Sequence, residues 1–304
     1  MNCKVCLKSF EELSSFHRHL KVHKMTQCEY YQKYETRQDR YDGSIIKYKN
    51  YEYYFNTEFN SKSNFNKWLL SVAPETAKTY IVEFLKARKQ KKNLVYAPSQ
   101  VELKTLALPG LKYIGDLFGD YRIFFNELGL KSRFSKNGLD INSFVDVSKK
   151  VIFADKREQN PLAFDNITRN KSMSFGDYRM AGSNIFIERK SIADAFGTLT
   201  GGYDRFNREI IRAKEANAYL VVLVEGNFNE LEQFPMQRQV RGKIKIPVGF
   251  AWHSIREIYY NYDMVQFLFV NDREEAARIT KKIFSANEQV KDVDLQLLYD
   301  LKQL

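Results

Sequence analysis

Between Tyr219 and Glu225 the chain reads Leu-Val-Val-Leu-Val, with no polar residue in the interval. A strand with one wet face alternates apolar and polar side chains, so an unbroken apolar run needs cover on both faces. Helices on either side of a parallel sheet supply that cover. The flanking sequence fits, with amphipathic stretches at 203–216, 248–262 and 272–285 and a second apolar run at 264–270. Upstream, 151–155 is a short apolar run ending in Asp155, and a second strand leads to Gly176-Asp177-Tyr178. Ala181 to Asn184 form a turn, and Ile185 to Lys190 a third strand. The C-terminal half is therefore predicted to be α/β.

The apolar Ile185-Phe186-Ile187 runs directly into Glu188-Arg189-Lys190. On a strand Glu188 and Lys190 share a face while Arg189 points away. Asp177 lies across the hairpin and can meet Glu188. Two carboxylates brought together repel unless a cation sits between them. A hard divalent ion, Mg2+ or Mn2+, suits such an oxygen site. A lysine beside it can orient the attacking water or stabilise charge on phosphate, which points to metal-assisted phosphodiester hydrolysis.

The pattern GDY, a hairpin, then ERK-x3-D resembles the signature of the XPF family of DNA nucleases, within the PD-(D/E)xK superfamily. The segment 154–164, ADKREQNPLAF, is similar to that family's DxRE segment. The resemblance implies a restriction-endonuclease-like α/β/α nuclease domain over 150–304. It implies Asp177, Glu188 and Asp155 as metal ligands, with Glu158 completing the acidic site. Lys190 would serve water and phosphate, Arg157 and Arg189 would make ion pairs or phosphate contacts, and Asp194 would close the network. Plainer roles stay open: a helix cap for Asp194, a strand-end turn for Asp155, a structural ion pair for Arg189. The family cuts DNA near junctions of single and double strands, and its nuclease domains commonly pair, so a homodimer is expected. The residues after 285 are too few for the helix-hairpin-helix pair that many members carry.

At the other end, Cys3-x2-Cys6 is followed after twelve residues by His19-x3-His23. Two thiolates and two imidazoles at this spacing make a closed tetrahedral Zn2+ site. Residues 1–24 resemble the ββα Cys-Cys-His-His zinc finger, whose folding energy comes from the metal. In that family's docking mode Glu12, Ser15 and Arg18 would face bases. A further cysteine, Cys28, completes a total of three, which is no disulfide framework; a reducing cytoplasmic or nuclear compartment is expected. No apolar run is long enough for a membrane span, and no signal-peptide segment is evident.

Charge separates the halves. Residues 1–150 hold 26 Lys and Arg against 16 Asp and Glu, whereas 151–304 hold 22 against 21. A polyanion, DNA, is the expected partner of the first half. Residues 25–96 are basic and Tyr-rich; aromatic strands in a small sheet are expected, with stacking on unpaired bases the alternative. A helix opening at Pro74 ends in the basic cluster Arg88, Lys89, Lys91 and Lys92, a second candidate DNA contact. Residues 97–131 predict three short helices, begun by a Ser99–Glu102 capping box and by Pro109 and stopped by Gly129. They resemble the small helix-turn-helix-like repeat beside homing endonuclease domains, and 132–149 reads as a linker. The reading that follows is a metal-dependent DNA endonuclease of viral, mobile-element, repair or recombination origin. A silent nuclease fold acting as a DNA-binding scaffold is the alternative, and an RNA nuclease a third.

Overall fold

The computed structural model describes residues 1–237 and 246–304. The chain divides into two compact units, Met1–Thr79 and Tyr80–Leu304.

In the first unit an antiparallel bridge between Asn2 and Ser9 closes the turn that carries Cys3 and Cys6. Helix α1 (Leu13–His19) then runs into a 3-10 turn, Leu20–His23. Phe16 and Leu20, four apart, share the inner face and are buried with Cys3. The following Tyr-rich segment is helical, which corrects the expected aromatic sheet. Among the described residues this unit contains isolated bridges but no extended strand. Side-chain caps explain the outcome: Thr26 and Glu29 form a capping box at α2 (Gln27–Tyr34). Asn50 caps α3 (Tyr51–Asn56) and Ser61 caps α4 (Lys62–Ser71). Each cap satisfies an amide that helix geometry leaves open, and this local gain outweighs the strand preference of tyrosine. Tyr30, Tyr31 and Tyr54 are buried in one cluster with Phe16, Leu20 and Ile46. These three tyrosines hold the finger's core together and present no face to a base.

The second unit takes in most of α5 (Pro74–Lys92) and then α6 (Gln100–Leu106), α7 (Leu111–Phe118) and α8 (Tyr121–Glu127). The capping box of Ser99 and Glu102 starts α6. The segment 132–149 is bonded down within this unit, with Lys136 N–H on Asp292 O and Val145 N–H on Ser285 O.

The sheet comprises β1 (Ile152–Asp155), β2 (Thr168–Lys171), β3 (Tyr178–Met180), β4 (Ile185–Ser191), β5 (Tyr219–Glu225) and β6 (Val265–Val270). Its order is β2-β1-β3-β4-β5-β6. β4, β5 and β6 run parallel, and β3 is antiparallel to both β1 and β4. The helices between and after them are α9 (Ile192–Leu199), α10 (Tyr203–Glu215), α11 (Phe228–Gln237), α12 (Val248–Asn261), α13 (Arg273–Ala286) and α14 (Leu295–Asp300).

Alternation sorts the strands onto two cores. Ile185, Ile187, Val221, Leu223, Leu268 and Val270 pack with Ile279 and Ile283 of α13. Phe186, Leu220, Val222, Val224 and Phe267 pack on the opposite face with Phe206 and Ile210 of α10 and Ile255 of α12. β5 is buried from Tyr219 to Val224 on both faces, as an apolar central strand requires.

Candidate active site

The parity that builds the two cores also sorts the charges at the end of β4. Glu188 and Lys190 continue the face of Phe186, which α10 covers, while Arg189 continues the face of Ile187. Asp177 enters just before β3, where Tyr178 pairs with Ile187. Its N–H donates to Ile187 O at 2.7 Å, and its carbonyl accepts from Asp155 N–H at 2.8 Å. Gly176 makes this entry possible. Its φ is +69°, and a Cβ there would stand 3.1 Å from Phe186 Cβ.

Asp177 Oδ2 accepts the Arg189 N–H at 2.7 Å, and Glu188 Oε1 lies 2.5 Å from Lys190 Nζ. Among the described residues, Asp177 Oδ1 and Glu188 Oε2 accept no hydrogen bond. Burial raises Asp177 to about 6, aided by the charges of Glu158 and Glu209 and opposed by the Arg189 N–H and Lys190. Burial likewise lifts Glu188 to about 8; Lys190 opposes this, while Asp177 and Glu209 add to it. Burial works against the Lys190 ammonium, but Glu188 and Asp177 more than compensate and raise its pKa. The ammonium sits 5.3 Å from the Phe206 ring centroid. The site thus has fewer cations than its carboxylates call for, with free oxygen lone pairs, and that donor set fits a hard divalent ion.

The remaining expected residues are held differently. Asp155 is 2% exposed, and its carboxylate accepts from Arg157 N, Nε and Nη2 and from Met173 N. Burial alone would raise Asp155; these bonds hold it below the usual range. Glu158 receives Arg189 in a two-pronged pair at 2.8 and 3.2 Å. Arg189 also reaches Glu225 at 2.9 Å, and Glu225 in turn meets Arg273. Ser191 caps α9 by accepting the Asp194 N–H, and its hydroxyl donates to Asp194 Oδ2 at 2.7 Å.

Two acids escaped the sequence reading. Glu209 accepts the Gly176 N–H at 3.3 Å and adds negative charge to the site. Its signal was an acid three after Phe206 and next to Ile210, on the buried stripe of α10. Glu225 ends β5 and is the second partner of Arg189; an acid closing an apolar strand was its signal.

Among the described residues, Cys3, Cys6, His19 and His23 are the one group of three or more potential ligands whose donor atoms all lie within 4.8 Å of one another. Cys3 Sγ is 3.5 Å from His23 Nε2, Cys6 Sγ is 3.2 Å from His19 Nε2, and the two Nε2 atoms are 3.0 Å apart. Tetrahedral zinc with its usual bond lengths separates sulfur from nitrogen by roughly 3.5 Å, so the four donors fit that ion. Arg18 and Ser15 lie side by side on α1, joined at 3.2 Å. The basic cluster of α5 divides: Lys89 donates to Leu128 O at 2.9 Å, Lys91 is exposed, and Arg88 and Lys92 line a hollow.

The model of the ERCC4 domain family matches residues 119–283, more than half of the chain. The chain belongs to this family. The ERCC4 domain is a nuclease-family domain, so the kinship with XPF-type nucleases drawn from GDY and ERK-x3-D is borne out. Among solved structures, the chain is similar to XPF from Aeropyrum pernix in complex with DNA, at 19% identity and a TM-score of 0.34. That match covers 44% of this chain and 63% of the other. A second structure, XPF from Aeropyrum pernix, gives 18% identity over 50% of this chain and 69% of the other, again at 0.34. No curated protein matches the chain.

Proposed function

We propose that the protein is a divalent-metal-dependent DNA endonuclease that hydrolyses phosphodiester bonds, with branched or flapped DNA as its preferred substrate. The observation that carries this reading is the pairing of two carboxylates, half-buried Asp177 and buried Glu188, each with an unbonded oxygen, beside the Lys190 ammonium. Asp177 and Glu188 would hold Mg2+ or Mn2+, which when bound lowers the pKa of a water and offsets charge on the scissile phosphate. Lys190 keeps its proton at neutral pH and donates to that water or to a phosphate oxygen. Arg189, clasped by Glu158 and Glu225, keeps its backbone N–H on Asp177 and so fixes that carboxylate's direction. Arg157 is 74% exposed in its side chain and can swing to a substrate phosphate, freeing Asp155 as a third ligand. Cys3, Cys6, His19 and His23 would hold Zn2+ as a structural ion, and the basic first half would grip the DNA backbone.

One observation favours a silent scaffold instead: Asp155 and Glu158 are both tied to arginines. Incubating wild type and Asp177→Ala with duplex, flap, single-stranded DNA and RNA, with Mg2+ or Mn2+, separates the readings. Metal-dependent DNA nicking by wild type alone is expected. Equal nicking by both proteins, or none on any substrate, overturns the enzyme reading.

A further inference from the structure

In the second unit the end of α5, the start of α6 and the outer turns of α12 surround a hollow of about 470 Å3. That volume is typical of cavities that take a small ligand or part of a larger one. Its walls carry Arg88, Lys92, Arg133 and Arg256 against Glu102 and Glu257. Glu102 is already engaged by the Ser99 N–H at 2.9 Å, and Glu257 lies 3.8 Å from His253 Nδ1. Neither Arg88 nor Arg256 makes an ion pair among the described residues; Arg256 reaches the Thr105 carbonyl at 3.4 Å. Arg133 has a buried Nε with no hydrogen-bond partner. Burial lowers the pKa of Arg88 and takes Arg256 to about 10, with Arg88 adding to the effect on Arg256; Glu102 and Glu257 oppose both shifts in part, and both groups remain charged at neutral pH. Half-buried guanidinium groups that repel one another are matched by an anion, and their forked donors suit phosphate.

The rim adds a second kind of surface. Tyr96 and Tyr260 keep 42% and 53% of their area exposed. The Arg133 guanidinium lies 4.9 Å from the Tyr96 ring centroid. A second hollow of about 360 Å3 shares His253 and Glu257 with the first and leads to the Thr200–Asp204 turn between α9 and α10. Helix α9 begins at the residue after Ser191, directly beyond Lys190, and spans about 12 Å. The two hollows thus adjoin at His253 and Glu257, and the second reaches the C-terminal end of α9.

We propose that this hollow seats one nucleotide of a single DNA strand, its phosphate between Arg88 and Arg256 and its base against Tyr96 or Tyr260. A duplex hides the faces of its bases, whereas an unpaired strand offers both phosphate and ring to such a surface. That the strand runs on to the acidic site rests on the nuclease reading; the binding itself does not.

The test uses the full chain carrying Glu188→Gln, without added divalent metal and without chelator, so that nothing is cut and zinc is kept. Binding of fluorescent dT12 is titrated at several salt concentrations. Adding Arg88→Gln and Arg256→Gln should raise Kd about tenfold or more and flatten the log–log salt slope by about 0.7, the value for one lost phosphate contact. Tyr260→Ala should raise Kd with the slope unchanged. Lys92→Gln, exposed and outside the core, guards against misfolding of the double variant and should raise Kd in the same direction with a smaller change in slope. Unchanged affinity and slope in the arginine and Lys92 variants would overturn the proposal. So would displacement of dT12 by dTMP or inorganic phosphate at the concentration at which unlabelled dT12 displaces it. A wild type that cuts no DNA, with binding still sensitive to these variants, would sink only the nuclease reading.

Discussion

In the Cys/His group four donors converge on one point, whereas in the acidic group most carboxylate oxygens are already taken by N–H donors of the chain itself. Cys3, Cys6, His19 and His23 lie within 4.8 Å of one another. Asp177 and Glu188 share their space with Lys190 and the Arg189 N–H, while Asp155 and Glu158 are claimed by Arg157 and Arg189. In the proposed function the first arrangement, closed around its ion, would serve structure, and the second, with lone pairs open, would serve exchange of water and substrate. Raised carboxyl pKa values are the signature of that openness, since an uncompensated buried charge prefers to take a proton.

The largest effect that can break the contrast is loss of the zinc site. Cys6→Ser should unfold residues 1–24, because zinc held there would supply about 10–16 kcal/mol to folding. Limited proteolysis should then cut within the first unit while the second stays resistant; resistance in both would mean that the Tyr30–Tyr31–Tyr54 cluster suffices alone.

Next, Glu188→Gln should lower the DNA cleavage rate by about a hundred- to a thousandfold, the scale of losing a charge aimed at the transition state. Its effect on thermal melting should be small, and a melting curve beside the rate measurement separates the two.

A third test turns on protons. Both carboxyls have raised pKa values, so a cation must displace protons to bind, and binding weakens as pH falls. Mn2+ affinity, read by isothermal titration, should rise about tenfold per pH unit from 6 to 8 and more steeply below 6. A flat profile would mean that Asp177 and Glu188 are not the ligands. The smallest effect belongs to Glu209→Gln. Removing its charge lowers the pKa of both ligands, so the acid limb of the pH–rate profile should move to lower pH by about one unit or less. A shift the other way would show that Glu209 compensates the site instead of crowding it.

How much of this was legible beforehand differs by residue. The Cys/His group could be read from spacing because its ligands lie on one turn and one helix, and both geometries are local. Asp177, Glu188 and Lys190 could be read from strand periodicity together with one hairpin. Glu209 could not, because its approach depends on where α10 crosses the sheet. The engagement of Asp155 by the Met173 N–H was equally hidden, since it joins the end of β1 to the loop after β2. The Tyr-rich helices were missed for another reason: Thr26, Asn50 and Ser61 act as caps, and cap energies outweighed the strand preference of the tyrosines that caught the eye.

By itself, the order of residues determined the class of sheet, the two groups of candidate ligands and the face on which each charge stands. These depend on periods of 2 and 3.6 residues and on short turns, which act within a few positions. Only the tertiary structure decided which carboxylates stay free and which arginines remain unpaired around a hollow. Pairing of charges is a matter of distance in space: Arg189 meets Glu225 directly, while Arg88 and Arg256 share a hollow with Glu102 and Glu257 without an ion pair to either among the described residues.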